Sequence, residues 1–255
     1  MKTSTPLLFL LLFGLLLGAC KSSESAVDAP PMSVEQEIVE RHIAAIGGRA
    51  TLESIESLQL MGELYMPAAG MTLPLTLTQK RPAKMHVRVD VAAMGAEVLN
   101  GYDGETAWQV NPLQGGTQKL SGEQARNLKE QADIDGLLVD YEAKGYSVAY
   151  VGEEEVKGTN TQKLQVMRPD SSEVFVYLDA ATALQFKVES EGTNPMTGAK
   201  AKSETYMSDY RDVDGMMVPF SLEVHFDGQL FQTVTLSDVK TNVEVDDAIF
   251  MYPKN

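Results

Sequence analysis

The chain has 255 residues, a formal charge of −15 and 44 % hydrophobic residues. A surface this acidic repels nucleic acid and anionic headgroups, which excludes both as partners held by charge. One cysteine allows no intrachain disulfide, so the fold must rest on its own core.

Lys2 precedes an apolar run that begins at Leu7 and closes with Leu15-Leu16-Leu17-Gly18-Ala19-Cys20. A basic start, an apolar run of about a dozen residues and small residues before a cut site describe a secretory signal, too short to span a bilayer. Leu17-Gly18-Ala19-Cys20 resembles the bacterial lipobox. The resemblance implies cleavage before Cys20 and a diacylglyceryl thioether on its sulfur. Residues 1–19 are then a signal peptide, 20–32 a flexible tether and 33–255 one domain. The tether, Lys21–Met32, is rich in Ser and Pro and has no apolar period. It reaches at most roughly 40 Å. Because charge does not draw this chain to a membrane, acyl chains must, and one chain alone binds only marginally. Lys21 stands where Asp marks inner-membrane retention in enteric bacteria, and that analogy places the protein at the outer membrane, facing the periplasm.

Ser33–Ile46 is predicted to be a helix, with Ser33 and Gln36 as a capping box, Ile38, Val39, His42, Ile43 and Ile46 at helical spacing, and Gly47-Gly48 as its stop. A short turn follows at Thr51–Ser54. From Leu58 the period becomes two: Leu58, Leu60, Leu64 and Met66; then Leu73, Leu75 and Leu77; then Met85, Val87, Val89 and Val91. Asp103-Gly104 marks a hairpin leading into Thr106–Asn111, which carries Trp108. Ser121–Asp133 returns to a helical pattern, with Ser121 and Gln124 as a second capping box, and Asp135–Ala143 reads as a further helical piece. Seven strands follow: Tyr146–Val156, Gln162–Arg168, Glu173–Asp179, Leu184–Glu191, Lys202–Arg211, Met217–Phe226 and Leu230–Asn242. Glu173–Leu178 is apolar on both faces and should lie centrally, under a helix.

About eleven strands each present an apolar face, and only two helical segments exist to cover them. A sheet this wide curls or closes rather than leave that face in water. The expected fold is mainly β, an antiparallel half-open barrel with a helical lid. Its inward face would be lined by Leu60, Leu75, Val87, Val89, Trp108, Phe186, Phe220 and Leu222. Aromatic content is 7 % against 13 methionines, and aliphatic and thioether walls suit a deformable apolar cavity.

Several stretches together resemble a known superfamily: Ile43-Ala44-Ala45-Ile46-Gly47-Gly48, Gly101-Tyr102-Asp103-Gly104 with Trp108, Val139-Asp140-Tyr141 with Gly145, Tyr210–Pro219, and Val245–Phe250. In this order they are similar to the outer-membrane lipoprotein-sorting proteins of the LolA/LolB and LppX superfamily. The resemblance covers roughly Ser33 to Pro253. It implies an eleven-stranded half-barrel whose lid closes over a cavity for acyl chains, such as a palmitate of a lipid or lipoprotein. LolA is unanchored, whereas a lipobox places this chain beside LolB and LppX. LolB-like receivers carry a protruding apolar loop that aids delivery to a membrane, which the resemblance assigns to Met71 or Met94, in the apolar tips Pro67–Met71 and Val91–Gly95. The implied protein is a monomeric carrier or acceptor, with envelope transport proteins as further partners. The other reading open to the residues is an anchored interaction module with a filled core and no ligand.

His42, His86 and His225 are the only histidines and show no metal-ligand spacing. Glu153-Glu154-Glu155 reads as a solvated charge run, and Asp209–Gly215 as a hairpin turn rather than a calcium loop. No nucleophile motif, phosphate loop or dinucleotide fingerprint is present, so neither an enzyme nor a cofactor is expected.

Overall fold

The computed structural model describes residues 31–112 and 115–253; the signal stretch, Cys20 and nearly all of the tether lie outside the described residues. From Met32 onward the chain is one compact unit. Helices α1 (Val34–Ala45) and α2 (Arg49–Glu53) precede β1 (Ser57–Met66), β2 (Met71–Lys80), β3 (Lys84–Val91), β4 (Ala96–Tyr102), β5 (Ala107–Asn111) and β6 (Gly116–Lys119). Helix α3 (Gly122–Ala132) follows, then β7 (Ser147–Val156), β8 (Thr159–Met167), β9 (Glu173–Asp179), β10 (Gln185–Thr193), β11 (Lys200–Val213), β12 (Met216–Phe226) and β13 (Gln229–Thr241). All thirteen strands form one open antiparallel sheet in the order β6-β5-β4-β3-β2-β1-β13-β12-β11-β10-β9-β8-β7. The count exceeds the eleven expected partly because β6, Gly-Thr-Gln-Lys, has no apolar alternation to reveal it. Among the described residues no helix is long and apolar enough to cross a membrane.

The sheet is curled, and its bends have local causes. β1 and β13 slip register between Met61 and Gly62, and a Cβ on Gly62 would lie 2.2 Å from the carbonyl oxygen of Thr235. Only glycine lets the two backbones approach so closely at that bulge. The tight hairpins at Lys157-Gly158, Asp214-Gly215 and Asp227-Gly228 have both residues at positive φ, the twist that suits a two-residue connection. Edge strand β7 is irregular between Tyr150 and Gly152 and exposes Glu153, Glu154 and Glu155, which discourages edge-to-edge pairing.

Two clusters fill the inner face. The larger packs Ile38, Val39 and Ile43 of α1 and Leu52 of α2 against Leu164, Val166, Val174, Val176, Val218 and Phe220. The smaller packs Ala125, Leu128 and Ala132 of α3 against Met85, Tyr102 and Ala107. The capping box of Ser33 and Gln36 is formed. The one expected at Ser121 is not: Ser121 makes no capping bond, and the first-turn Glu123 accepts from Thr193 at the end of β10 instead. Asp135–Ala143 is a run of turns, not a helix. It is held by Asp135, which takes a two-pronged ion pair from Arg81, while Arg81 also donates to the carbonyls of Leu52 and Ile55. Leu138 and Val139 provide its buried anchors.

Strand β9 is apolar on both faces, as the sequence indicates, but its outer face is not under a helix. Tyr177 is covered there by the ammonium groups of Lys187 and Lys163, 4.0 and 4.9 Å from its ring centre.

Candidate functional site: an apolar hollow under α3

Between the two clusters the inner face is not filled. A partly open hollow of 470 Å³ lies there, within the roughly 300–1,000 Å³ range of small-ligand sites. Leu60 (β1), Leu75 and Leu77 (β2), Val188 (β10), Met207 (β11) and Leu222 (β12) form its walls. Gln79, Gln131, Thr205 and Gln232 are its polar lining, and no charged residue lines it. Cross-strand register explains the grouping: Leu60 faces Leu77, Val188 faces Thr205, and Met207 faces Leu222.

Helix α3 bridges the hollow. One side is apolar and rests on the β3–β5 arm. The other is tied to the β8–β10 arm by polar contacts: Arg168 grips Glu130 with two bonds of 2.5 and 2.6 Å, Arg126 pairs with Asp170, and Glu123 accepts from the amide and hydroxyl of Thr193 at 2.9 Å each. Gln79 donates to the carbonyl of Gln131 near the helix end. Hydrogen bonds from the Ser172 hydroxyl and amide, then the Arg126 contact, hold the Asp170 carboxyl down to about 2, so this tie persists in mild acid. Among the described residues Arg126 Nε is buried with no partner, at a cost of about 1–3 kcal/mol.

Leu60, Leu75 and Leu222 border the hollow. Val87 and Val89 share its face, opposite Leu77 and Leu75, with Val87 packed into the α3 cluster. Phe220 lies in the larger cluster, two residues along β12 from Leu222. Trp108 and Phe186 are not at the hollow. Trp108 faces Gly101 across β4–β5, on the side opposite Met85 and Tyr102, and a Cβ on Gly101 would collide with its ring. It is 1 % exposed on the outer face, beneath the C-terminal segment, and donates from Nε1 to the carbonyl of Phe250 at 2.8 Å. Phe186 sits in an irregularity between Gln185 and Lys187, which turns it outward against Tyr206, 6.2 Å between ring centres. The apparent alternation Leu184, Phe186, Val188 conceals that bulge. Val188, Met207, Val224 and Val234 line the hollow without having been singled out, although the alternation of β12 was a signal for Val224.

Met94 is 60 % exposed in a short 3-10 turn between β3 and β4, and Met71 opens β2. Up-and-down connectivity brings these tips to one end of the sheet, with exposed Tyr65 in the same hairpin as Met71 and exposed Met196 and Leu230 near the tips of other hairpins at that end. The histidines are dispersed: His42 bonds the Ala183 carbonyl at 2.9 Å, His86 stacks near Trp108, and His225 meets Glu223. No cluster of potential metal ligands occurs among the described residues.

No family model matches the chain, and no curated protein matches it. Solved structures do match in fold. A domain assigned to outer membrane lipoprotein sorting from Vibrio parahaemolyticus is 16 % identical, with 84 % of this chain and 94 % of that one covered and a TM-score of 0.58. A DUF1329 family protein from Desulfovibrio piger is 12 % identical, with 87 % and 98 % covered and a TM-score of 0.60. A LolA superfamily protein from Nitrosomonas europaea is 14 % identical, with 86 % and 98 % covered and a TM-score of 0.57. The half-barrel fold of the LolA superfamily is therefore the fold of this chain.

Proposed function

We propose that this protein is a non-enzymatic, lipid-anchored carrier or acceptor that holds an acyl chain of a lipid or lipoprotein in the hollow under α3. The observation that carries the reading is the 470 Å³ space walled mainly by Leu, Val and Met side chains, with Gln79, Gln131, Thr205 and Gln232 as its polar members and no charge among them. A wall without charge has nothing to offer an ion, whereas each enclosed methylene contributes roughly 0.8 kcal/mol. A sixteen-carbon chain fully enclosed would gain about 12 kcal/mol by that figure, before the costs of ordering it. The shared fold with a domain assigned to lipoprotein sorting supports the same reading. So does the lid, which is tied to one arm by polar bonds that can open without breaking a packed core.

In this reading Cys20 carries the anchor, the protein faces the periplasm from the outer membrane, and the apolar tips at Met71 and Met94 touch the bilayer during transfer. The unfilled hollow favours a carrier over an interaction module with a packed core. The test uses the full chain carrying Cys20→Ala, stripped of lipid and titrated with a fluorescent fatty acid. Uptake is expected, and Leu222→Trp, which fills the hollow, should abolish it while the fold survives by circular dichroism. No uptake, with no acyl ligand released on solvent extraction of the untreated protein, would overturn the proposal. Fractionation of cells expressing the wild-type chain and Cys20→Ala tests the anchor separately.

A further inference from the structure

The hollow does not end at Val188. Two residues further along β10, about 7 Å at the strand rise, the same inner face presents Ser190, opposite Ser203 of β11. Here a second space of 380 Å³ opens between α3 and the β10–β12 surface. A smaller, more open groove of 240 Å³ lies between the two: it shares Gln131 and Val188 with the apolar hollow, and Asn127, Arg168 and Ser190 with the outer chamber. The lid helix reinforces the gradient. Glu123, Asn127 and Gln131 follow one another at intervals of four, so a polar stripe of α3 runs along this path.

The outer chamber is polar without being charged in sum. Its lining has two arginines, Arg126 and Arg168, and two glutamates, Glu123 and Glu191. Each arginine is already committed to a carboxylate, Asp170 or Glu130, and Glu123 is committed to Thr193. What remains for a ligand is the amides of Gln124 and Asn127 and the hydroxyls of Ser121, Ser190 and Ser203, groups that both donate and accept. A phosphate or free carboxylate would find both guanidinium charges already matched by Asp170 and Glu130, although the buried Nε of Arg126 has no partner, and would meet the carboxylate of Glu123 as a like charge. Hydroxyl groups are matched.

We infer that the ligand is an amphiphile with a neutral, hydroxyl-bearing head group, a glycerol or a sugar, seated against Asn127, Ser190 and Ser203 while its hydrocarbon tail occupies the inner hollow. This rests on the acyl-chain reading of the hollow and adds the chemistry of the other end.

The test compares sixteen-carbon probes that differ only in the head: monopalmitoylglycerol, hexadecyl glucoside, palmitate and lysophosphatidylglycerol, each displacing a fluorescent fatty acid from the full chain carrying Cys20→Ala. At least one of the two neutral probes should bind tenfold or more tighter than either anion, and the better of them identifies the head as glycerol or sugar. Asn127→Leu and the Ser190→Ala/Ser203→Ala pair should each reduce that preference at least threefold while leaving palmitate affinity unchanged, a split that general loss of folding would not produce. Equal binding of all four probes, preference for an anion, or a preference unaltered by these substitutions would overturn the inference and leave the hollow standing. Failure of every probe to bind would overturn both.

Discussion

The two faces of β9–β12 differ in a way that runs against their composition. On the outer face Lys187 and Glu204 are 4 % and 7 % exposed. Lys187 Nζ lies 2.7 Å from Glu189, 3.3 Å from Glu204 and 4.0 Å from the ring centre of Tyr177. One residue away along β10, Val188 points to the inner face and borders empty space. Around Lys187 the charged side is filled, although a recess of 540 Å³ lined by Phe175, Glu189 and Lys202 opens beside it, and the apolar side is hollow. Long side chains in cross-strand register, Lys163, Tyr177, Lys187 and Tyr206, lie flat over one another and close the outer surface. Short aliphatic chains on the inner face cannot meet across the curled sheet. Which side is filled is thus decided by side-chain reach and curvature, not by polarity.

The comparison can be broken most directly at its charged end. Lys187→Ala leaves Glu189 and Glu204 with only the half-exposed Lys202 as a cation and should cost about 3 kcal/mol, the low end for breaking a buried pair, read from the denaturant midpoint. A loss below about 1 kcal/mol would mean that the outer network is ornamental. Phe250→Ala removes the side chain over the Trp108 region and should cost about 3 kcal/mol, with a red shift of tryptophan emission as the outer pocket opens. An unshifted spectrum would place Trp108 elsewhere than beneath the C-terminal segment.

The inner face can be sharpened by pairing two leucines. Leu164→Ala, in the packed cluster, should cost about 2–5 kcal/mol, and Leu222→Ala, at the hollow, about 1 kcal/mol because one side of Leu222 already lacks contacts. Equal losses would mean the hollow is filled in solution.

The smallest effect concerns His42. Burial pushes its pKa down, partly offset by the bond to Ala183. The unfolded chain takes up a proton as pH falls through about 6.5 while the folded chain does not, so stability declines by up to roughly 1.4 kcal/mol per pH unit. The decline stops once the lowered folded pKa is reached. His86 is pushed the same way, by burial and then by Arg88. His42→Phe should therefore flatten the slope of the urea midpoint between pH 7 and 5 without abolishing it. An unchanged slope would assign the pH dependence to other groups.

Much of this was legible beforehand. The helix at Ser33, the strands around Leu60, Leu75 and Leu222, and the curled antiparallel sheet all follow from periodicity and from the shortage of helix to cover it. Trp108 and Phe186 were not legible as outer-face residues. Trp108 alternates plausibly with either face of β5, and only its pairing with Gly101, which leaves room for the indole, settles the choice. Phe186 follows the expected parity until the bulge beside Lys187 reverses it.

By itself the chain's order of residues determined local periods, turn positions and the apolar supply of each strand, because these depend on neighbours a few residues apart. The tertiary structure alone decided which parity faces inward, where α3 is tied, and that the inner face encloses space. Those depend on register between distant strands, and a single bulge is enough to turn a side chain from one surface of the sheet to the other.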